Sequence, residues 1–578
     1  MKKIIAYSFN LLFLVTFLAS CLGDLDTMPL DNNQLVSDQV YKTKDGYTGV
    51  LAKCYSSLIL TGQQGGDGGN GDLEGANEGY SGYVRLLFYL QEMSTDNFLM
   101  PSSSNGLRKC LNLQWDASNA SVVTWTYQRL YMSIAYCNEL LRECTEGKLQ
   151  DRGLWEEMKD EYIGYRAEAR FIRAYCYSML CDLFGSVPYV DEHTGVKEIP
   201  VQYTRKQIFE YAESELLAVE SELKAPGENE YGRIDRVADW FLLARMYLNA
   251  ESWIHENKYQ EAYTYAKKVI TDGHYPLASD YREIFLADNK TCKEIIWGLV
   301  QDGQRAQSSA GTNFYVKAFV NGPMDELYKT GVGSRGWGNV RAKMTLVDAF
   351  DADDVAFDVN DTWGNRKKDK RAQFMTALPN QVKETWDSEL NMTSTFTCGY
   401  GYIKWRNVTK DDQLCASGDA YTSIDFPLFR TADAYLMAAE AILRGANGTE
   451  TEALGYVNEV RSRAYMSGKY AKSGVRSDVS GEIGLNELSL NFILSERQKE
   501  LASELTRRTD LIRFGKYTKG NNWDWKNGIR LGGDVDDKYQ LFPIPESELT
   551  NNPALNQNDG YNLSSTYKCN FLGADNKQ

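Results

Sequence analysis

The stretch that most constrains this chain is residues 165–188, YRAEARFIRAYCYSMLCDLFGSVP. It is rich in good helix formers, and Gly185 followed by Pro188 supplies a stop, so it predicts a helix of about six turns ending at Gly185. Apolar or small side chains recur at Ala167, Phe171, Ala174, Ser178 and Cys181, and a second stripe runs through Ala169, Ile172, Cys176, Met179 and Leu183. Most of the circumference is therefore fit for burial, and such a helix belongs between other helices. Arg166, Glu168, Arg170 and Arg173 would be costly there unless paired, and Glu168 lies within helical reach of the arginines around it.

Helical periodicity recurs over 122–144, 205–223, 236–248 and 259–270, then again over 430–443, 452–465 and 487–504. Helix pairs spaced by about 34 to 40 residues suit tetratricopeptide-type repeats. Residues 289–425 between the two sets are rich in Gly, Asn, Asp and Thr, with few helical runs. The expectation is a mainly α chain: a helical repeat scaffold spanning 21–288 and 426–578, with an irregular, loop-rich ligand-binding insertion at 289–425. Loops on a rigid scaffold are where binding sites concentrate.

The first 20 residues stand apart. Lys2 and Lys3, a mostly apolar run over 4–18, and Leu18-Ala19-Ser20-Cys21 are the three parts of a bacterial secretory signal with a lipoprotein cleavage site. As a helix the apolar run would reach roughly 22 Å, short against a hydrocarbon core of about 30 Å, so it predicts a signal and not a span. Cleavage before Cys21 leaves its thiol to carry lipid, and more than one acyl chain is needed for stable anchoring.

Charge and side-chain inventory then exclude several functions. The chain has 63 Lys and Arg against 79 Asp and Glu, and losing Lys2 and Lys3 with the signal takes its formal charge from −16 to −18, a poor match for nucleic acid. Three histidines (His193, His255, His274) form no helical pair, no nucleophile-elbow or metalloprotease pattern occurs, and no metal site or cofactor is assigned. A carboxylate pair suited to a glycosidase is guaranteed by number alone and decides nothing. Gly66 to Gly71 fits a dinucleotide fingerprint by letter but lacks the flanking strand and helix, and the basic run 366–371 is expected to be a solvated face. The cysteines show no zinc spacing and are expected to be mostly small buried hydrophobes.

Aromatic residues give the positive lead. Trp240 and Trp297 sit on patterned segments suited to a core, whereas Trp337 lies in Gly333-Ser334-Arg335-Gly336-Trp337-Gly338-Asn339, where neighbouring glycines cannot bury it locally. Tyr315 follows a similar loop-like run, Gly311-Thr312-Asn313-Phe314. Exposed rings with a few polar groups suit the apolar C–H faces and hydroxyls of sugars.

Taken together, Tyr165-Arg166-x-Glu168-Ala169-Arg170-Phe171 with Leu183-Phe184-Gly185-x-Val187-Pro188, then Leu243-Ala244-Arg245-Met246-Tyr247-Leu248, Phe426-Pro427-Leu428-Phe429-Arg430, Glu496-Arg497-x-x-Glu500-Leu501, and Phe542-Pro543-Ile544-Pro545 resemble, in that order, the SusD/RagB family. The resemblance covers nearly the whole chain. It implies a non-catalytic lipoprotein, anchored on the outer surface of the outer membrane, that captures oligosaccharides and delivers them to a SusC-like TonB-dependent transporter. Peptide capture, as in RagB-type members, and a surface glycoside hydrolase are the alternatives. In the segments Thr61 to Arg85, Gln301-Asp302-Gly303 and Lys404-Trp405 the chain resembles the family's starch-binding founding member. From it, stacking roles carry over to Tyr315 and Trp337 and polar contacts to Arg85 and Asn105. Two further arc tryptophans fall on Met100 and Ser102, which argues for a shallower or different glycan site. Ion pairs of Glu496 or Glu500 with Arg507 are expected to be architectural. Cys21→Ala is expected to remain unlipidated and to disappear from the outer-membrane fraction; normal retention on fractionation would refute the anchor.

Overall fold

The computed structural model describes residues 37–561 except 63–65, 67–70, 103, 196, 322–324, 362, 379, 387–396 and 416–417. The signal segment and Cys21 lie outside the described residues, as does most of the glycine loop at 66–71. The principal helices are α1 (Lys44–Ser56), α2 (Tyr83–Phe88), α3 (Ser121–Glu143), α4 (Tyr162–Leu183), α5 (Arg205–Val219), α6 (Arg236–Ile254), α7 (Tyr259–Asp272), α8 (Thr312–Phe319), α9 (Thr431–Leu443), α10 (Glu450–Ala464), α11 (Leu490–Leu501) and α12 (Arg507–Arg513). No described helix is long and apolar enough to cross a membrane.

Helix ends follow local chemistry. α4 stops where expected: Gly185 takes φ +75°, and the Phe184 and Gly185 N–H groups donate to the Leu180 carbonyl at 2.8 and 3.0 Å. Thr204 and Gln207 form a capping box at the start of α5, Asp235 caps α6, Thr449 caps α10 and Ser489 caps α11.

The helices form a ladder in which each packs on the next. α3 packs on α4, α4 on α5, α5 on α6 and α6 on α7; α7 then packs on α9, and α9 on α10. The ladder thus continues from α7 to α9 across everything between them in sequence. The fold is the expected helical repeat scaffold with an irregular subdomain inserted into it. Trp240 and Trp297 are buried as expected, and Trp297 lies edge-on to Phe171 and Tyr175 of α4 at 5.5 and 5.2 Å.

Strands are few and short. β1 (Phe98–Leu99) pairs with β5 (Arg341–Ala342), β2 (Val187–Pro188) with β3 (Gln202–Tyr203), β4 (Ile295–Leu299) with β8 (Phe426–Arg430), and β6 (Phe374–Met375) with β7 (Gly401–Tyr402), all antiparallel. The β4–β8 pair is the neck of the insertion, where the chain leaves the ladder and returns. Arg430 in that neck is fully buried and binds Glu294 at 2.8 Å, Glu500 at 2.7 Å and Glu504 at 2.6 Å. Arg463 of α10 also binds Glu294, at 2.7 Å, and Glu500. From within the insertion, Arg371 reaches Asp369 at 2.7 Å, Glu496 at 2.6 Å and Glu500 at 3.1 Å.

This network corrects three expectations. Glu496 and Glu500 pair with Arg371, Arg430, Arg461 and Arg463, whereas Arg507 pairs with Asp96 at 2.7 Å. The basic run at 366–371 is not a solvated face throughout, because Lys370 and Arg371 are fully buried and the α11 carboxylates draw Arg371 inward. Glu168 does not pair with arginines of its own helix. It binds Arg233, while Arg170 and Arg173 reach across to Glu215 of α5 at 2.8 and 2.9 Å. The helix is buried on so many sides that its charges are neutralised by neighbouring elements.

Burial alone would push the Glu500 carboxyl up, but Arg463, Arg430 and Arg371 outweigh it and hold it down at about 2. Its folded value lies below the unfolded carboxylate value of about 4.3, so its contribution is complete above that pH and is lost as pH falls towards 2. Glu500→Gln is expected to lower stability by about 3–5 kcal/mol near neutrality, by leaving buried guanidinium groups under-compensated. The gap to the native protein should narrow as pH falls from about 4.3 towards 2, measured by denaturant unfolding across that range.

Candidate functional site

Helix α8 organises the site. Its N-terminal N–H groups lack a cap from the preceding residue, since Gly311 has no side chain. Gln301 supplies one from a distance: its Oε1 accepts from the Thr312 N–H at 3.0 Å and from the Thr312 hydroxyl at 2.9 Å. A Cβ at Gly311 would come within 2.1 Å of Gln301, so this close approach requires glycine. Asp425 fixes Gln301 in turn, accepting its N–H at 2.7 Å.

The other end of α8 positions Trp337. Helix C-termini leave carbonyls without helical partners, and here the Trp337 loop takes them. The Trp337 N–H donates to the Lys317 carbonyl at 2.7 Å, and the Asn339 and Val340 N–H groups donate to the Ala318 carbonyl at 2.8 and 2.9 Å. The backbone is thereby held while the indole stays 40% exposed.

Arg85 of α2 stands behind this indole. Its guanidinium carbon lies 4.3 Å from the Tyr80 ring centre, 4.7 Å from Phe314 and 5.6 Å from Trp337, and its Nε donates to the Tyr89 hydroxyl at 2.6 Å. At 6% exposure Arg85 is a pillar between rings, held by cation–π attraction. Burial pushes the Tyr89 hydroxyl up to about 12 against the opposing pull of Arg85, so it remains a neutral hydrogen-bonding group.

Beside Trp337 opens a cavity of about 430 Å3, lined by Ser309, Asn313, Lys317, Ser334, Arg335, Gly336, Ala420 and Tyr421. Lys317 donates to the Ala420 carbonyl at 2.6 Å, Arg335 pairs with Asp419 at 3.3 Å, and the Ser309 hydroxyl donates to the Gly66 carbonyl at 3.1 Å. A larger groove of about 1060 Å3, near Ile199, Val201, Tyr203 and Leu541, includes no tryptophan in its lining. The Trp337 cavity offers one broad apolar face with polar groups at its side, which suits a flat ligand carrying hydroxyls. Its described lining holds neither histidine nor carboxylate, so it presents no carboxylate pair for glycosidic hydrolysis.

Of the four residues expected at a site, the structure brings Arg85 and Trp337 together. Tyr315 is a correction: it lies on α8 and not in a loop, it is fully buried, and its ring packs on Phe88, Trp405 and Phe426 at 5.6, 5.0 and 5.5 Å. A ring so enclosed offers no face to a ligand. Asn105 is half-buried at φ +55° in the turn Ser104–Gly106, and it does not line this cavity. Met100 is buried and Ser102 half-buried, so neither position supplies a ring. Sequence reasoning missed Tyr80, Asn313, Lys317 and Tyr421. The Asn313-to-Lys317 interval, one helical turn, was a usable signal hidden by the loop-like composition around it.

A helical scaffold that fixes an exposed indole over a polar cavity is an arrangement for holding a ligand, and comparison with known proteins specifies the class. The family described as "SusD family" matches residues 293–561, and that described as "Starch-binding associating with outer membrane" matches residues 73–248. The chain is 32% identical to the starch-binding protein SusD of Bacteroides thetaiotaomicron, over 94% of this chain and 96% of that protein. In structure it is similar to surface glycan-binding protein A from Bacteroides uniformis (TM-score 0.62, 22% identity, covering 89% of this chain and 99% of the other). A SusD superfamily protein from Bacteroides thetaiotaomicron gives a TM-score of 0.65 at 19% identity, with the same coverage of both chains. This chain belongs to the SusD family.

The placements separate by stability. Tyr315→Ala is expected to cost about 3–5 kcal/mol as a core truncation, whereas Trp337→Ala should leave the melting temperature nearly unchanged. Thermal unfolding of the two variants checks this.

Proposed function

We propose that this chain is a non-catalytic, cell-surface glycan-binding lipoprotein that captures oligosaccharides and delivers them to a SusC-like TonB-dependent transporter. The observation that carries the reading is the exposed face of Trp337, backed by Arg85 and bordered by the Asn313–Lys317 cavity. A sugar ring stacks its C–H face on the indole and turns its hydroxyls to the cavity. Starch-like α-glucan is the first substrate class to test, because the 32% identical relative is a starch-binding protein. Anchoring through lipid on Cys21, with the protein facing the cell exterior, follows from the signal segment and the family, and the insertion at 289–425 serves as the ligand-binding subdomain.

Native gels containing starch, levan, xylan or mucin glycans test the reading. Retardation is expected in starch, and Trp337→Ala should weaken it by roughly two- to tenfold in affinity, from about 0.5–1.5 kcal/mol of stacking. Retardation in none of the gels, with binding to a peptide library instead, would overturn it.

A further inference from the structure

Helix α8 carries Phe314, Tyr315, Val316 and Phe319 into the core, yet it presents two polar side chains, Asn313 and Lys317, to the cavity. Lys317 is engaged with the Ala420 carbonyl. The neighbouring Thr312 hydroxyl is engaged with Gln301 and with the Ile424 carbonyl at 2.7 Å. Asn313 is different: it is 2% exposed, and its Oδ1 is buried without a hydrogen-bond partner among the described residues. Burying an unpartnered amide oxygen is unfavourable, and an apolar side chain of similar size would avoid that cost at this position. The Asn313 Oδ1 recovers the cost when a donor, a water or a ligand hydroxyl, reaches it from the cavity.

Resting on the glycan-capture reading, we infer that Asn313 is a specificity-determining residue that binds a hydroxyl of the sugar stacked on Trp337. An amide offers two donors and an acceptor, which matches neighbouring hydroxyls of a neutral pyranose. A site built around such a group discriminates strongly against ligands that leave it unpaired. The site therefore selects sugars whose hydroxyls at the cavity side are free over sugars substituted there.

The test uses calorimetry on the full chain with whichever of maltoheptaose, laminarihexaose and xylohexaose binds best. Asn313→Leu is expected to weaken binding about tenfold while the melting temperature stays level or rises, since an unpaired polar group has been removed. Asn313→Ala, which adds no bulk, should weaken binding similarly and guards against a Leu variant that fails to fold. Unchanged affinity in the Ala variant, or a fall in melting temperature without loss of affinity, would show a structural role and overturn the inference alone. A native protein that binds none of the three probes and is retarded by none of the glycan gels would remove the glycan reading, and this inference with it.

Discussion

A buried guanidinium must find carboxylates or it destabilises the fold, and this requirement governs how the parts of the molecule meet. Arg430 stands where the insertion rejoins the scaffold, Arg463 on a repeat helix and Arg371 inside the insertion, yet all three share Glu500 of α11. Each group satisfies several others, so displacing one member leaves its partners under-compensated. Such networks add little net stability over an apolar core, but a wrong register strands a charge in low dielectric. The pairing of β4 with β8, the seating of the insertion and the docking of α11 are therefore parts of one constraint.

That constraint also explains what could and could not be read in advance. Long amphipathic helices were legible because periodicity of apolar residues is local information, and the glycine at 185 marked the end of α4 for the same reason. Charge pairing was not legible. Glu168 had arginines within a turn on its own helix but is neutralised by Arg233, which only the fold brings near. The charges of Lys370 and Arg371 looked suited to water, but backbone carbonyls surround the Lys370 ammonium and carboxylates of α11 meet the Arg371 guanidinium.

The candidate site divides along the same line. The flanking glycines of Trp337 signalled a side chain that its own segment cannot bury, and the indole is exposed. The neighbourhood of Tyr315 gave a false signal, because α8 is short and takes its cap from Gln301, outside the helix in sequence. Without that distant cap the run looks like a loop; with it, Asn313 and Lys317, one helical turn apart, face the cavity while Phe314, Tyr315 and Val316 between them enter the core. Arg85 was legible as a participant, but its place between Tyr80 and Phe314 makes it a support for the indole.

The packing of α7 directly on α9 bears on how such a protein diversifies. The scaffold closes on itself where the intervening chain departs, so the packing of these two helices holds the two ends of that excursion at a fixed separation. Closing a longer or shorter excursion between fixed ends changes the entropy only logarithmically, about 0.6 kcal/mol per doubling of length. Descendants of such a chain can lengthen, shorten or replace what lies between the two helices while inheriting the same frame, provided that a cation from the new segment still reaches Glu496 and Glu500.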